Sequence, residues 1–230
     1  MPFLFAPPAQ PVIPVEDERY LFFPVNRVFG VARNYKRADG SAPEPFYFMK
    51  SADTVTSVGP NETLEVPMPP AGSELFHEVE LVVALKSGGR NLTLEEAEAA
   101  VWGWCVGLDL SLMDVMIPGG GRDLMRGKNF FRSAPVSHLR PMYRSPLPHP
   151  TDYWLYVNNE KRQAGSTTGL VVSPFEQIVE LSRSFELAAG DIIFTGTPPG
   201  ASRLVVGDEV SCGVNGVGQL KMKVVEGARP

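Results

Sequence analysis

Hydrophobic positions fall in short runs along most of this chain, and only two stretches carry a helical period. Val28-Phe29-Gly30-Val31 and Phe46-Tyr47-Phe48-Met49 are brief apolar runs set between Gly and Pro, as short strands are. Val79 to Leu85 is nearly continuous in β-branched residues and leucine, the pattern of a buried strand, and it stops at the turn sequence Lys86-Ser87-Gly88-Gly89. Tyr153-Trp154-Leu155-Tyr156-Val157, followed by Asn158-Asn159, predicts a hairpin. Residues 192–194, 209–212 and 220–225 predict further strands separated by turns.

Two helices begin on clear signals. Thr93 and Glu96 form a capping box, in which each side chain satisfies a backbone N–H that the first turn leaves free. Leu94, Ala97, Val101 and Trp104 then predict one helical face. Ser173, with Pro174 at the first helical position and Glu176 three residues after the cap, starts the second. Phe175, Ile178, Val179 and Ser182 give its inward stripe. Strands outnumber helices, and neither a strand–helix–strand repeat nor an internal repeat is visible. The expected class is β-rich α+β, a roll or sandwich with a few short helices. The proline-rich residues 1–24 are expected to lie as an extended arm on the body, and 25–230 to form a single catalytic domain.

Composition narrows the partners. With 43% apolar and 20% charged residues over 230 positions, the chain can bury a sizeable core. A net charge of −5 and no long Lys/Arg cluster argue against nucleic acid. No run approaches the roughly 18 apolar residues of a membrane span. The first residues lack a basic stretch, and prolines interrupt their apolar run, so no secretory leader is read and a cytoplasmic protein is expected. Cys105 and Cys212 sit in apolar stretches and are expected to be reduced, buried thiols.

The candidate chemistry begins at His77-Glu78-Val79-Glu80. Residues two apart on a strand share a face, so Glu78 and Glu80 present two carboxylates together, with His77 opposite. Two such carboxylates repel unless a cation neutralises them or one is protonated. A solvated strand end or an acid/base pair would give the same local pattern. Asp109, inside the apolar run Val106-Gly107-Leu108-Asp109-Leu110, tips the balance, because a charge there is costly unless compensated. Three carboxylates suit Mg²⁺ or Mn²⁺, and the three histidines show no zinc-ligand spacing.

Lys128 reads either as a surface lysine or as a cation beside a metal-bound oxyanion. Gly127-Lys128 is not a phosphate loop, because Arg122 stands where a glycine is required and Asn129 replaces Ser/Thr. Gly119-Gly120-Gly121 reads as a loop. Thr195-Gly196-Thr197-Pro198 is either a tight turn or a turn aiming amides and a hydroxyl at a bound carboxylate.

Taken together, Glu78-x-Glu80, Asp109, Lys128-Asn129-Phe130 and Thr195-Gly196-Thr197-Pro198 resemble the fumarylacetoacetate hydrolase family, most closely its bacterial fumarylpyruvate hydrolases. Phe46 to Lys50, Arg132-Ser133-Ala134-Pro135 and Gly190-Asp191-Ile192-Ile193-Phe194 extend the likeness from about Val25 to Val225. The resemblance implies a mixed β-sandwich roll, a homodimer, and Mg²⁺ or Mn²⁺ held by Glu78, Glu80 and Asp109. It implies a 2-oxo or 2,4-dioxo acid substrate, with Lys128 catalytic. Arg33, Asn34, Tyr35, Lys50, Gly196 and Thr197 would lie around the substrate.

The sequence departs from that pattern at three places. Hydrolytic members carry His and Glu on a short lid after Asn-Tyr, whereas this chain reads Asn34-Tyr35-Lys36-Arg37-Ala38-Asp39-Gly40. The family's Arg and Gln after the metal Asp become Met113 and Met116, and its Gly-Val-Gly becomes Gly200-Ala201-Ser202. Loss of a positioned base commonly lowers a rate by about 10²–10⁴. The expected activity is hydrolysis of a C–C bond in a 2,4-dioxo acid such as fumarylpyruvate. Isomerisation, tautomerisation or decarboxylation of a 2-oxo acid, or a catalytically silent homologue, are the alternatives.

Overall fold

In the computed structural model, residues 3–70, 74–117, 123–143, 146–147 and 149–227 are described; Gly119-Gly120-Gly121 and Arg122 lie outside them. Two sheets dominate. The larger runs in the order Phe46–Lys50, Val28–Ala32, Ile192–Phe194, Val79–Leu85, Val101–Leu108, Ala134–Ser137 and Val55–Val58, with Arg140–Pro141 paired to Val101–Leu108. The smaller runs Glu160–Ser166, Asp152–Val157, Glu209–Val214, Gly218–Val225 and Leu64–Pro67. Parallel and antiparallel pairings are mixed in both. The larger sheet curls into a half-barrel, and the helices are short, so the β-rich class read from the sequence holds.

The apolar run at Val79–Leu85 has a direct cause, since every residue of that strand is buried. Leu81 and Val83 face a core shared with Tyr153, Leu155, Cys212 and Leu220 of the smaller sheet. Val82 and Ala84 face the other way, against Ile13, Phe23 and Val25. The second core is therefore closed by the N-terminal segment. Val12–Pro14 pairs antiparallel with Phe22–Pro24, and Ile13 and Phe23 plug the sheet while residues 3–10 stay exposed. Burying each such aliphatic side chain stabilises the fold by roughly 1.5–3 kcal/mol.

One helix is shorter than its periodicity predicts. The capping box forms at Thr93 and Glu96, but the helix ends at Ala100, and Val101–Leu108 is a strand paired with Val79–Leu85. Val101 and Trp104 thus belong to the sheet and not to a helical face. The eight-residue run Val-Trp-Gly-Trp-Cys-Val-Gly-Leu is rich in aromatic and β-branched residues, and long-range pairing overrides the helical spacing. The Pro174–Ser184 helix starts at Ser173 with its capping box, as read. The Asn158-Asn159 hairpin also forms, with both residues at positive φ. Both cysteines are free and buried. No helix among the described residues is long and apolar enough to cross a membrane.

Candidate metal centre and active site

Strand pairing creates the acid cluster. Val79 lies opposite Leu108 in an antiparallel ladder, so Glu78 and Glu80 at the start of one strand meet Asp109 at the end of its neighbour. The Asp109 amide donates to the Glu78 carbonyl at 2.9 Å and fixes that juxtaposition. One carboxylate oxygen from each of Glu78, Glu80 and Asp109 lies within 4.8 Å of the other two. Glu80 and Asp109 are buried, and Glu78 is half-buried.

Two lysines enter from other elements. Lys128, closing the Leu124–Lys128 helix, places Nζ 2.5 Å from both Glu78 Oε2 and Asp109 Oδ2. Lys50, at the end of Phe46–Lys50, lies 2.9 Å from Asp109 Oδ1 as an ion pair, and also donates to the Lys128 carbonyl. Burial works against the Lys128 charge, but Asp109 and Glu78 outweigh it and hold the ammonium above its ordinary pKa. For Lys50 burial wins over the pull of Asp109, with Lys128 adding repulsion, and its pKa falls. Burial pushes Asp109 up, but the two lysines overcome it and keep the carboxyl below its usual range. Glu80 differs. Burial, then Asp109 and Glu78, drive it well above the carboxylate range, against the hydrogen bond from the Gly196 amide.

These residues border a cavity of about 90 Å³ whose other walls are Val31, Ala32, Arg33, Phe46, Phe48, Met116, Leu124 and Thr197. A larger cavity of about 600 Å³ lies between Trp104, Leu170 and Phe175, but its described lining residues hold no comparable cluster. Chemistry points to the smaller one. A divalent cation fits its donor set: with every group ionised, three carboxylates and two ammoniums leave a formal charge of −1 (−3 plus +2), and Glu80, which has no ammonium beside it, is the acid whose ionised form most needs a cation. Oxygen-only donors are what hard cations prefer.

The sequence-predicted residues divide into two groups. Glu78, Glu80, Asp109, Lys128, Arg33 and Thr197 border the cavity, and Lys50 stands directly behind Asp109. Asn34, Tyr35 and Gly196 are absent from the lining. Asn34 donates to the Val172 and Thr195 carbonyls and accepts from the Val172 amide, pinning the chain after Arg33. Tyr35 packs edge-on against Tyr153, in space left by Gly165 and Gly169. Gly196, at φ +106, turns its amide to Glu80 Oε2 at 2.7 Å. A side chain there would meet Asn34, so glycine is required both by backbone and by space. The Thr197 hydroxyl donates to the Val79 carbonyl and accepts from Gln163 Nε2, leaving only acceptor capacity toward the cavity.

The model of the fumarylacetoacetate (FAA) hydrolase C-terminal family matches residues 27–225. The chain belongs to the fumarylacetoacetate hydrolase family. A mitochondrial oxaloacetate tautomerase of Bos taurus is 35% identical over 201 residues, covering 84% of this chain and 89% of that protein. A fumarylpyruvate hydrolase of Ralstonia sp is 30% identical over 188 residues, covering 81% and 95%. The crystal structure of fumarylpyruvate hydrolase from Pseudomonas aeruginosa in complex with Mn²⁺ and pyruvate superposes with a TM-score of 0.92. It is 37% identical and covers 98% of this chain and 100% of that one.

Two supports of this fumarylacetoacetate hydrolase family site escape sequence reading. His77 Nδ1 lies 2.9 Å from Gln163 Oε1, and Nε2 lies 2.8 Å from Ser202 Oγ. Gln163 cannot flip, because its Oε1 accepts from the Val79 amide while its Nε2 donates to the Pro198 carbonyl. Oε1 therefore demands the proton on His77 Nδ1, and Ser202 donates to Nε2. Burial lowers the His77 pKa, consistent with a neutral ring. The second support is Gln177, whose amide holds the Val172 and Thr195 carbonyls alongside Asn34. Gln163 on a hairpin strand gave no local signal, whereas Ser202 was visible only as a departure from Gly-Val-Gly.

Proposed function

We propose that this chain is a divalent-metal-dependent hydrolase that cleaves a C–C bond in a 2,4-dioxo acid such as fumarylpyruvate. Water would be consumed, and fumarate and pyruvate released. The observation that carries this reading is the convergence of Glu78, Glu80 and Asp109 on one cavity, with Lys128 between two of them. Similarity over nearly the whole chain to a fumarylpyruvate hydrolase crystallised with Mn²⁺ and pyruvate supports it.

Glu78, Glu80 and Asp109 are the candidate ligands for Mg²⁺ or Mn²⁺. Such a cation, when bound, supplies Lewis-acid polarisation of the 2-oxo group and of the enolate that C–C cleavage leaves behind. The remaining work falls to this chain's own groups. Lys128 keeps its proton and offers a second positive charge toward the same oxygen. The Gly196 amide orients Glu80, and Lys50 neutralises Asp109 from the protein side. With every group ionised, a bound divalent cation would bring the site's formal charge from −1 to +1, which would favour an anionic acid.

One observation favours a second reading, tautomerisation of a 2-oxo acid. Among the described residues, the cavity lining holds no histidine and no carboxylate beyond the three candidate ligands. Lys36, Arg37 and Asp39 are exposed; the Lys36 amide donates to the Gly169 carbonyl, and Arg37 and Asp39 close a turn with Gly40 and Ser41. A relative named as an oxaloacetate tautomerase points the same way. The deciding experiment incubates Mn²⁺-loaded protein with fumarylpyruvate and follows enol absorbance and pyruvate together. Loss of absorbance with stoichiometric pyruvate establishes hydrolysis, whereas change without pyruvate establishes tautomerisation. Absence of both, with metal-dependent oxalate binding retained, marks a silent homologue and refutes both readings.

A further inference from the structure

The cavity has a charged end, apolar walls and one further cation at its mouth. Past the acid cluster, the described lining is apolar, with Phe46, Phe48 and Met116 part of it, apart from Arg33 and the Thr197 hydroxyl, which can only accept. Arg33 is the only cation besides Lys128 among the described lining residues. It is exposed, and its guanidinium lies 5.6 Å from the Phe46 ring centroid. It forms no ion pair with any described residue.

The backbone at Arg33 is also held in an unusual state. Its φ of +60° is in the left-handed region, which non-glycine residues rarely occupy. Both flanks impose it. Val28–Ala32 is paired on both sides in the larger sheet, and Asn34 is tied to Val172 and Thr195 by three hydrogen bonds. The chain must turn at Arg33, and the turn leaves this side chain in the cavity wall. Strain that the surroundings over-determine is a feature of ligand-holding positions.

From this arrangement we infer that Arg33 selects dicarboxylic substrates by pairing with the carboxylate at the far end of the acyl arm. The inference rests on the proposed function for the position of the 2-oxo acid head, which goes to the Glu78–Glu80–Asp109 end. The uncharged middle of the arm then lies along Phe46, Phe48 and Met116. Its terminal carboxylate reaches the mouth, where the planar guanidinium can donate two parallel hydrogen bonds to it. Phe46 beneath the guanidinium restricts its motion without neutralising its charge.

The test uses two 2,4-dioxo acids of matching shape, succinylpyruvate and 4-methylpentanoylpyruvate, which carry a terminal carboxylate and a terminal isopropyl group. Calorimetry on the Mn²⁺-loaded protein measures the affinity of each, with pyruvate release assayed in parallel. The wild type is expected to prefer succinylpyruvate by about tenfold or more, the scale of one charge-assisted pair at a partly exposed site. Arg33→Met should collapse that preference toward unity, and Arg33→Lys should restore part of it. Equal affinities in the wild type, or a preference that survives Arg33→Met, overturn the inference even if pyruvate is released. A preference lost in Arg33→Met without pyruvate release supports the role of Arg33 while refuting hydrolysis. If neither acid binds the metal-loaded protein, both the inference and the proposed function fall.

Discussion

The acid cluster and the turn at residues 36–41, which follows Arg33 closely in the chain, are built in opposite ways. The cluster rests on two central strands and a helix end, with Glu80, Asp109, Lys50 and Lys128 buried. Asp109 and Glu78 have lysine partners, Glu80 has the Gly196 amide, and the backbone bond between Asp109 and Glu78 sets their spacing. The turn is exposed throughout and is closed by bonds among Arg37, Asp39, Gly40 and Ser41. Charges that must converge need rigid strands and burial to hold them, because burial makes their mutual interaction strong. A turn in water needs only its own hydrogen bonds. The contrast puts the candidate metal ligands in the sheet and leaves the turn outside the candidate site.

Breaking the buried side of this contrast should have the largest effect. Asp109→Ala removes a candidate ligand and leaves the buried Lys50 ammonium without its carboxylate, a change expected to destabilise by about 3–5 kcal/mol. Thermal unfolding and Mn²⁺ calorimetry should both register it, and an unchanged melting temperature would refute the assigned pairing.

Glu80→Gln separates metal binding from stability. Manganese affinity should fall by orders of magnitude, while the metal-free protein keeps or gains stability, because the burial and like-charge repulsion at Glu80 are removed. The pH dependence gives the sign. A carboxyl with a raised folded pKa contributes stability fully present below its ordinary value of 4.5 and lost as pH rises through the raised one. Melting temperature of the metal-free wild type should thus carry a decline above about pH 4.5 that Glu80→Gln lacks. Asp109, with its pKa lowered, acts oppositely, and its contribution is lost only as pH falls below its ordinary 3.8.

Lys128→Met should lower turnover by about 10²–10³ while leaving Mn²⁺ bound, as expected for loss of one oxyanion-stabilising charge. Normal turnover would remove its assigned role. Gln163→Leu strips partners from the Val79 amide and Pro198 carbonyl, and should destabilise by about 1–3 kcal/mol. It should also weaken turnover through Thr197, and Gln163→Glu should not restore it, because an ionised Glu cannot donate to Pro198. Asp39→Ala, in the exposed turn, should have the smallest effect, with manganese affinity unchanged within twofold. A large loss there would erase the contrast between the two regions.

Much of the fold is legible along the chain because its signals are local. Caps at Thr93 and Ser173, the hairpin at Asn158-Asn159 and the apolar strand at Val79–Leu85 each depend on adjacent residues. Val101 and Trp104 mark where that reasoning ends. Their spacing fits a helix, but a ladder with a strand some twenty residues earlier captures them. Register with a distant partner leaves no trace in a short window.

The candidate site divides the same way. Residue type and alternation alone determined that Glu78 and Glu80 act together, that Asp109 is an anomalous charge in an apolar run, and that oxygen-ligand chemistry is at stake. Only the tertiary structure decided that Asp109 stands beside Glu78, that Lys50 and Lys128 neutralise two of the acids, and that Gln163 fixes His77 and Thr197. It also moved Asn34 and Tyr35 from the cavity wall to its supports and left Arg33 at the mouth. The physical reason is that a sequence specifies which groups are charged and which face they share. Strand pairing between distant segments sets the few ångströms that turn charges into a site.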